Sequence, residues 1–295
     1  MNWNDFFSRV FVFDRYGELL ELLSQSIWAG AILGLIGGFM GLFVMIRRQA
    51  FAVHAIAEMS FAGAALFLLL GYNVVTGSLL GSLVSALLIA LLGARAQETD
   101  SIIGALMPFG LGLGILFISL YSGRSANKFS LLTGQIVSVD TSQLTAISLG
   151  ALVILLGLAA IWRPLLFASL DPVVAAAKGV PVRALTLIFM VLLGIATALS
   201  VQVVGSLLVL ALLITPAASA LQVTASPLKA LILSVVFAEL AMVGGILLAL
   251  AGSLPISPYV TSISFLIFLI CRLIRWVRLR HSASGRQLSP EPQCS

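Results

Sequence analysis

Nine stretches of this chain are nearly free of charge, most of them about as long as the 20 residues an α-helix needs to cross a bilayer. They fall at positions 25–46, 51–70, 74–92, 102–120, 144–161, 184–199, 203–217, 228–251 and 259–277. Hydrocarbon is the solvent in which such runs form a stable surface. Only 9% of the 295 residues are charged and 60% are apolar, against about 25% charged in a soluble domain. A soluble globular protein is excluded. The remaining length holds no second domain of ordinary size. The reading is an all-α polytopic membrane protein of about nine transmembrane helices, with eight to ten possible, in one compact bundle over 25–277. The runs at 184–217 are short for complete spans and are expected to be tilted, broken or re-entrant.

The flanks differ. Positions 1–24 carry Phe6, Phe7, Val10 and Phe11 at helical spacing between charges, the pattern of an amphipathic segment lying in the interface. That segment lacks the basic start and compact apolar core of a cleavable signal peptide. Positions 122–142 are polar and suit a surface or re-entrant piece, and 278–295 is expected to be a disordered cytoplasmic tail. With nine spans and the N-terminus outside, twelve of the 16 Lys and Arg residues fall inside and four outside. This predicts N-out/C-in. The net charge of +5 is scattered over short loops and is no nucleic-acid footprint, so membrane lipid, not nucleic acid, is the expected surroundings. Cys271 and Cys294 imply no disulfide framework.

Ionisable groups inside apolar runs each cost about 2.5–3.5 kcal/mol on insertion scales and so need a reason. Three qualify: His54, Glu58 and Glu239. His54 and Glu58 are four apart, on one helical face a turn from each other. An imidazole and a carboxylate so placed can hold one divalent cation such as zinc, iron or manganese, or can simply hydrogen-bond each other. Glu239 is a further ligand, a proton carrier or a bond to a neighbouring helix. Met59 and Ser60 are candidates for lining the same cavity. Glycines at 30, 34 and 38, with 37 and 41 on a neighbouring line, read as helix packing. No G-x-x-x-x-G-K-[ST] loop, H-E-x-x-H pair or Ser-His-Asp set is present, so no enzyme and no resident cofactor is expected.

Positions 170–183 read L-D-P-V-V-A-A-A-K-G-V-P-V-R. Asp171 suits an N-cap, Pro172 the first helical position and Gly179 the C-terminal cap, with Pro181 beyond. A two-turn helix over 171–179 is predicted, with nothing in its own sequence to bury against and therefore placed to dock a soluble partner.

These residues resemble the permease subunits of manganese/zinc-type ABC importers, over most of the chain. Positions 170–183 are similar to that family's D-P-x-x-A-x-x-x-G-x-P-V coupling region, so Asp171, Pro172, Ala176, Gly179 and Pro181 are implied as the coupling to an ATPase. Positions 202–220 read Q-V-V-G-S-L-L-V-L-A-L-L-I-T-P-A-A-S-A, close to the signature that follows, with Pro216 expected to kink the helix. A third element, usually G-D-A-L-S-H-x-x-x-P-G, matches V-H-A-I-A-E-M-S-F-A-G at 53–63, with the Asp position taken by His54 and the His position by Glu58. The resemblance implies the metal/cobalamin-type importer bundle in the plasma membrane, a permease homodimer, a separate ATPase subunit hydrolysing ATP, and an extracytoplasmic metal-binding protein delivering the transported ion. A metal chelate of haem or cobalamin type is the alternative cargo, and a stand-alone ion- or proton-coupled carrier the alternative class.

Overall fold

The computed structural model describes residues 23–93, 96–123, 139–250 and 256–286. The chain forms α1 (Ser24–Ile46), α2 (Ala50–Leu69), α3 (Val74–Leu92), α4 (Ala96–Leu120), α5 (Thr141–Leu170), α6 (Pro172–Ala177), α7 (Val182–Val204), α8 (Ser206–Leu213), α9 (Thr215–Val223), α10 (Pro227–Leu250) and α11 (Ile256–Arg286). Eight of these helices are long and apolar enough to cross a membrane, all except α6, α8 and α9. This is the all-α multi-pass bundle that the apolar runs require.

Several boundaries move, and the runs at 102–120 and 144–161 lengthen to Ala96–Leu120 and Thr141–Leu170. The run predicted to end at 199 continues to Val204, because Ser200 and Gln202 do not break it. The Ser200 hydroxyl donates to the Ala196 carbonyl (2.8 Å), and the Gln202 amide reaches the Val75 carbonyl on α3 (3.5 Å). The break comes instead at Gly205, whose φ of +83° is a glycine conformation. The next run becomes the short pair α8 and α9. The tail expected to be irregular from 278 is helical to Arg286, since no glycine or proline interrupts it before Gly285. The interfacial segment expected at 1–24 lies outside the described residues up to position 22, as do 124–138 and 287–295.

α1, α2 and α7 are the most buried spans, whereas α4, α5 and α11 turn most of their surface outward. Close helix approach rests on glycine, and the two glycine lines of α1 serve two different neighbours. Gly30, Gly34 and Gly38 face Ile246, Glu239 and Val235 of α10, where the Ser234 hydroxyl also donates to the Gly38 carbonyl (3.0 Å). Gly37 and Gly41 face the Leu212 and Leu213 carbonyls of α8. Gly63 of α2 meets Gly77 and Gly81 of α3. Ser60 and Ser78 hydrogen-bond there at 2.7 Å, so Ser60 joins helices instead of lining a cavity. Gly110 of α4 lies on the Glu58–Met59 backbone.

Cross-helix contacts collect the basic residues at one end. Arg47 reaches α5 and α7, Phe43 stacks edge-on against Trp162 (5.0 Å), Leu42 packs with Ala230 and Leu231, and Arg278 bonds the Val223 carbonyl (3.0 Å). Arg48, Arg163, Lys178, Arg183 and Lys229 adjoin these positions.

A methyl group at Gly41 runs into the Leu213 carbonyl, whereas one at Gly104 meets nothing within 4 Å. Gly41→Ala is expected to destabilise the protein by about 1–3 kcal/mol through overpacking. Gly104→Ala should leave the thermal midpoint in detergent unchanged or raised.

Candidate functional site

α2 starts from a tight reversal. The Arg48 amide bonds the Met45 carbonyl (3.2 Å) and the Gln49 amide the Val44 carbonyl (2.9 Å), a Schellman closure of α1. Arg48 takes the left-handed position at φ +57°. His54 then lies about one turn into α2, within the third of the span nearest the basic end, and Glu58 about two turns in, near its middle.

The two side chains face each other with Nδ1 and Oε1 3.8 Å apart, beyond hydrogen-bond range. Glu58 is 3% exposed, and both His54 Nδ1 and Glu58 Oε2 are buried without a hydrogen-bond partner. The pair therefore does not neutralise itself by the hydrogen bond that was its structural alternative. Two atoms 3.8 Å apart can both reach one ion, because each ligand lies about 2.0–2.2 Å from zinc. His54 opens onto a cavity of about 380 Å³ lined by Ala50, Phe51, Leu210, Ala211, Ile214 and Thr215.

That cavity wall is the junction of α8 and α9. Pro216 sits in the first turn of α9 and offers no N–H to the Leu212 carbonyl, so the expected kink is an interruption centred on Ile214. The Leu212 carbonyl lies where a Cβ on Gly37 would be 3.1 Å away.

Glu239 is not part of this pair. It sits on α10 against α1, its carboxylate 3.1 Å from where a Gly34 Cβ would be. Among the described residues no three His, Cys, Asp or Glu side chains gather as a metal-ligand set.

The short helix appears as α6. The Asp171 carboxylate accepts from the Val173 and Val174 amides (3.1 and 3.0 Å), with Pro172 at the first position. Gly179 takes φ +81° and donates to the Ala176 carbonyl (3.0 Å), and Pro181 caps α7. The helix runs 172–177, shorter than 171–179, because its caps take the end residues. Ala175 is buried, Ala176 is exposed, and Val173 is 78% exposed. Val174 beside it is exposed as well, so the helix turns two apolar side chains outward.

Sequence reasoning counted Arg47 only as one more inside charge. Its guanidinium donates to Thr186 Oγ1 (2.7 Å) and Ser169 Oγ (3.3 Å) and lies over the Phe189 ring (5.3 Å). Each hydroxyl donates its own proton to the carbonyl four residues back, at Leu165 and Val182, leaving lone pairs for Arg47. Ser169 precedes α6 and Thr186 follows it, so Arg47 ties both supports of that helix to the turn that starts α2. Nothing in the local sequence signals it, since Arg47 is more than 100 positions from either partner.

A model of the ABC 3 transport family matches residues 19–275. The chain belongs to that family. A curated relative, the manganese transport system membrane protein MntC of Halalkalibacterium halodurans, is 31% identical over 226 residues, 76% of this chain and 77% of the relative. The manganese import system permease protein ScaB of Streptococcus parasanguinis is 30% identical over 86% of this chain and 90% of its own length. The high-affinity zinc uptake system membrane protein ZnuB of Haemophilus influenzae is 25% identical over 85% and 97%. Among solved structures, PsaBC from Streptococcus pneumoniae in complex with Fab superposes with a TM-score of 0.78 at 27% identity, covering 88% of this chain and 95% of that one. For this ABC 3 family member, the match extends from α1 through most of α11, so the His54–Glu58 pair, the α8–α9 interruption and α6 all lie within it.

Asp171→Ala removes both capping bonds of α6, worth about 0.5–2 kcal/mol. Hydrogen exchange at the Val173 and Val174 amides should accelerate roughly tenfold, at 1.4 kcal/mol per factor of ten, while α2 amides exchange as before.

Proposed function

We propose that this chain is the membrane-spanning subunit of an ATP-driven importer whose cargo is a divalent transition metal, zinc or manganese. The observation that carries the reading is the His54–Glu58 pair: a nitrogen and an oxygen donor 3.8 Å apart, unbonded to each other, beside an open cavity. The relatives named for manganese and zinc support the choice of ion. The pair supplies two ligands. A second copy related by a two-fold axis would supply two more, which gives a two-chain pathway four donors without any further group from one chain. A conduit must let the ion leave as well as enter, so ligands divided between two chains suit it better than a full set held by one.

On this reading the chain hydrolyses nothing itself. A separate ATPase docks on α6 through the exposed Val173 and Val174, and an extracytoplasmic binding protein delivers the metal to the opposite end. Arg47 then couples the two: displacing α6 moves Ser169 and Thr186, and with them the turn that sets the position of His54.

Proteoliposomes holding the assembled complex test the proposal. His54→Ala and Glu58→Ala should each reduce manganese and zinc uptake at least tenfold while the ATPase still copurifies. The exchange His54→Asp with Glu58→His should keep uptake, since it preserves one donor of each kind a turn apart. Arg47→Ala should lower metal moved per ATP hydrolysed, and Arg47→Lys should recover part of it, because an ammonium reaches one hydroxyl but not both. Unchanged uptake in both alanine variants, or uptake of a metal chelate in place of the free ion, would contradict the cargo.

A further inference from the structure

The C-terminal half of α11 carries a basic surface that the transport reading does not use. Arg272, Arg275, Arg278 and Arg280 follow one another within nine residues, and between Glu239 and Glu291 the chain contains no acidic residue. α9, packed against this helix, contributes no acid either, and α10 contributes only Glu239, which lies against Gly34 far up its length. Arg272 and Arg275, and Arg275 and Arg278, stand three apart on the helix surface, where like charges repel. Two of the four are occupied: Arg278 bonds the Val223 carbonyl (3.0 Å) and Arg280 lies 3.7 Å over the Trp276 ring. Arg272 and Arg275 instead line a pocket of about 270 Å³ with Gln222, Trp276 and Leu279.

The pocket's lining defines what it takes. Two guanidiniums call for an anion, and arginine forks match phosphate oxygens in particular. Gln222 adds a buried Oε1 with no donor, so the ligand should also bring an O–H or N–H. Trp276 and Leu279, 49% and 60% exposed, form an apolar rim beside the cations. This combination of charge, hydrogen bond and apolar rim at the end of a membrane-crossing helix fits a lipid better than a free ion or a protein surface. Basic pockets between helix ends at that level bind anionic headgroups, and tryptophan belongs to the same interfacial layer. We infer that Gln222, Arg272 and Arg275 form a headgroup site for an anionic phospholipid whose phosphodiester carries a hydroxylated group, as in phosphatidylglycerol. The phosphate bridges the two arginines and a headgroup hydroxyl donates to Gln222. Filling the site removes the repulsion along α11 and pins it against α9, the helix that continues from the His54 cavity wall.

The full chain in detergent is titrated with phosphatidylglycerol, phosphatidylcholine, or inorganic phosphate, and thermal midpoints and lipids retained in native mass spectra are recorded. Phosphatidylglycerol should raise the midpoint by about 5–10 °C near a hundred times its Kd, with phosphatidylcholine and phosphate having little effect. Arg272→Gln with Arg275→Gln should lower retention of phosphatidylglycerol roughly tenfold or more, as expected for losing charge-assisted bonds. Gln222→Leu, which leaves both arginines in place, should lower it less. Equal responses to the two lipids, a response to phosphate matching the lipid's, or unchanged retention in the double arginine variant each overturn the assignment. So does loss of ATPase copurification in the double variant with lipid retention intact, which would make the pocket a protein-docking surface. The readout contains no metal, so it stands apart from the cargo assignment.

Discussion

Hydrocarbon offers no partner to a polar group, and the architecture of this protein follows from that. Backbone amides and carbonyls must pair within helices, so the described chain is helical from end to end of each span. With no water to expel, helices gain chiefly by close packing, so α1 brings glycines against α10 on one side and α8 on the other. Several buried hydroxyls are turned back onto their own helices or onto a neighbour, as at Ser200, Ser234 and Ser60, whereas those of Ser85, Thr197 and Ser206 find no partner. Among the unpaired buried atoms, an imidazole nitrogen and a carboxylate oxygen lie a turn apart on α2, and a carboxylate is far more costly to bury unpaired than a hydroxyl. The two atoms stand beside an interruption in the ladder of helical bonds, between α8 and α9.

The same constraint gives the basic end of the bundle its meaning. Arg47 is tolerated half-buried there because two hydroxyls, already satisfied as donors, present lone pairs to it and an aromatic ring covers it. An arginine bound to neutral groups is held less tightly than one in an ion pair. Arg47 joins α5 and α7, the helices that flank α6, to the start of the helix that carries His54.

Much of this was legible in the sequence because the relevant signals are local. Apolar runs of span length gave the membrane class, and eight of the nine gave helices with ends moved by up to nine residues. Asp171, Pro172, Gly179 and Pro181 announced α6 through capping chemistry that acts over three or four residues. The i, i+4 spacing put His54 and Glu58 on one face. What failed to show was long-range or depended on competition. Ser200 and Gln202 looked like a loop because their polarity is visible, whereas the bonds that satisfy them inside the helix are not. Glu239 looked like a partner for the pair, and only the packing of α10 on α1 sets it elsewhere. Arg47 with Ser169 and Thr186, and Gln222 with Arg272 and Arg275, are constellations assembled from distant helices, and no spacing rule reaches them.

The central claim is that His54 and Glu58 coordinate the passing ion directly. Electron paramagnetic resonance of manganese(II) bound to the assembled complex measures this, because an imidazole nitrogen on the metal gives a hyperfine coupling that water and carboxylates do not. The account predicts that coupling in the native protein and its loss in His54→Gln, with Glu58 intact. A bound manganese signal lacking nitrogen coupling, or one that survives the substitution unchanged, would contradict it.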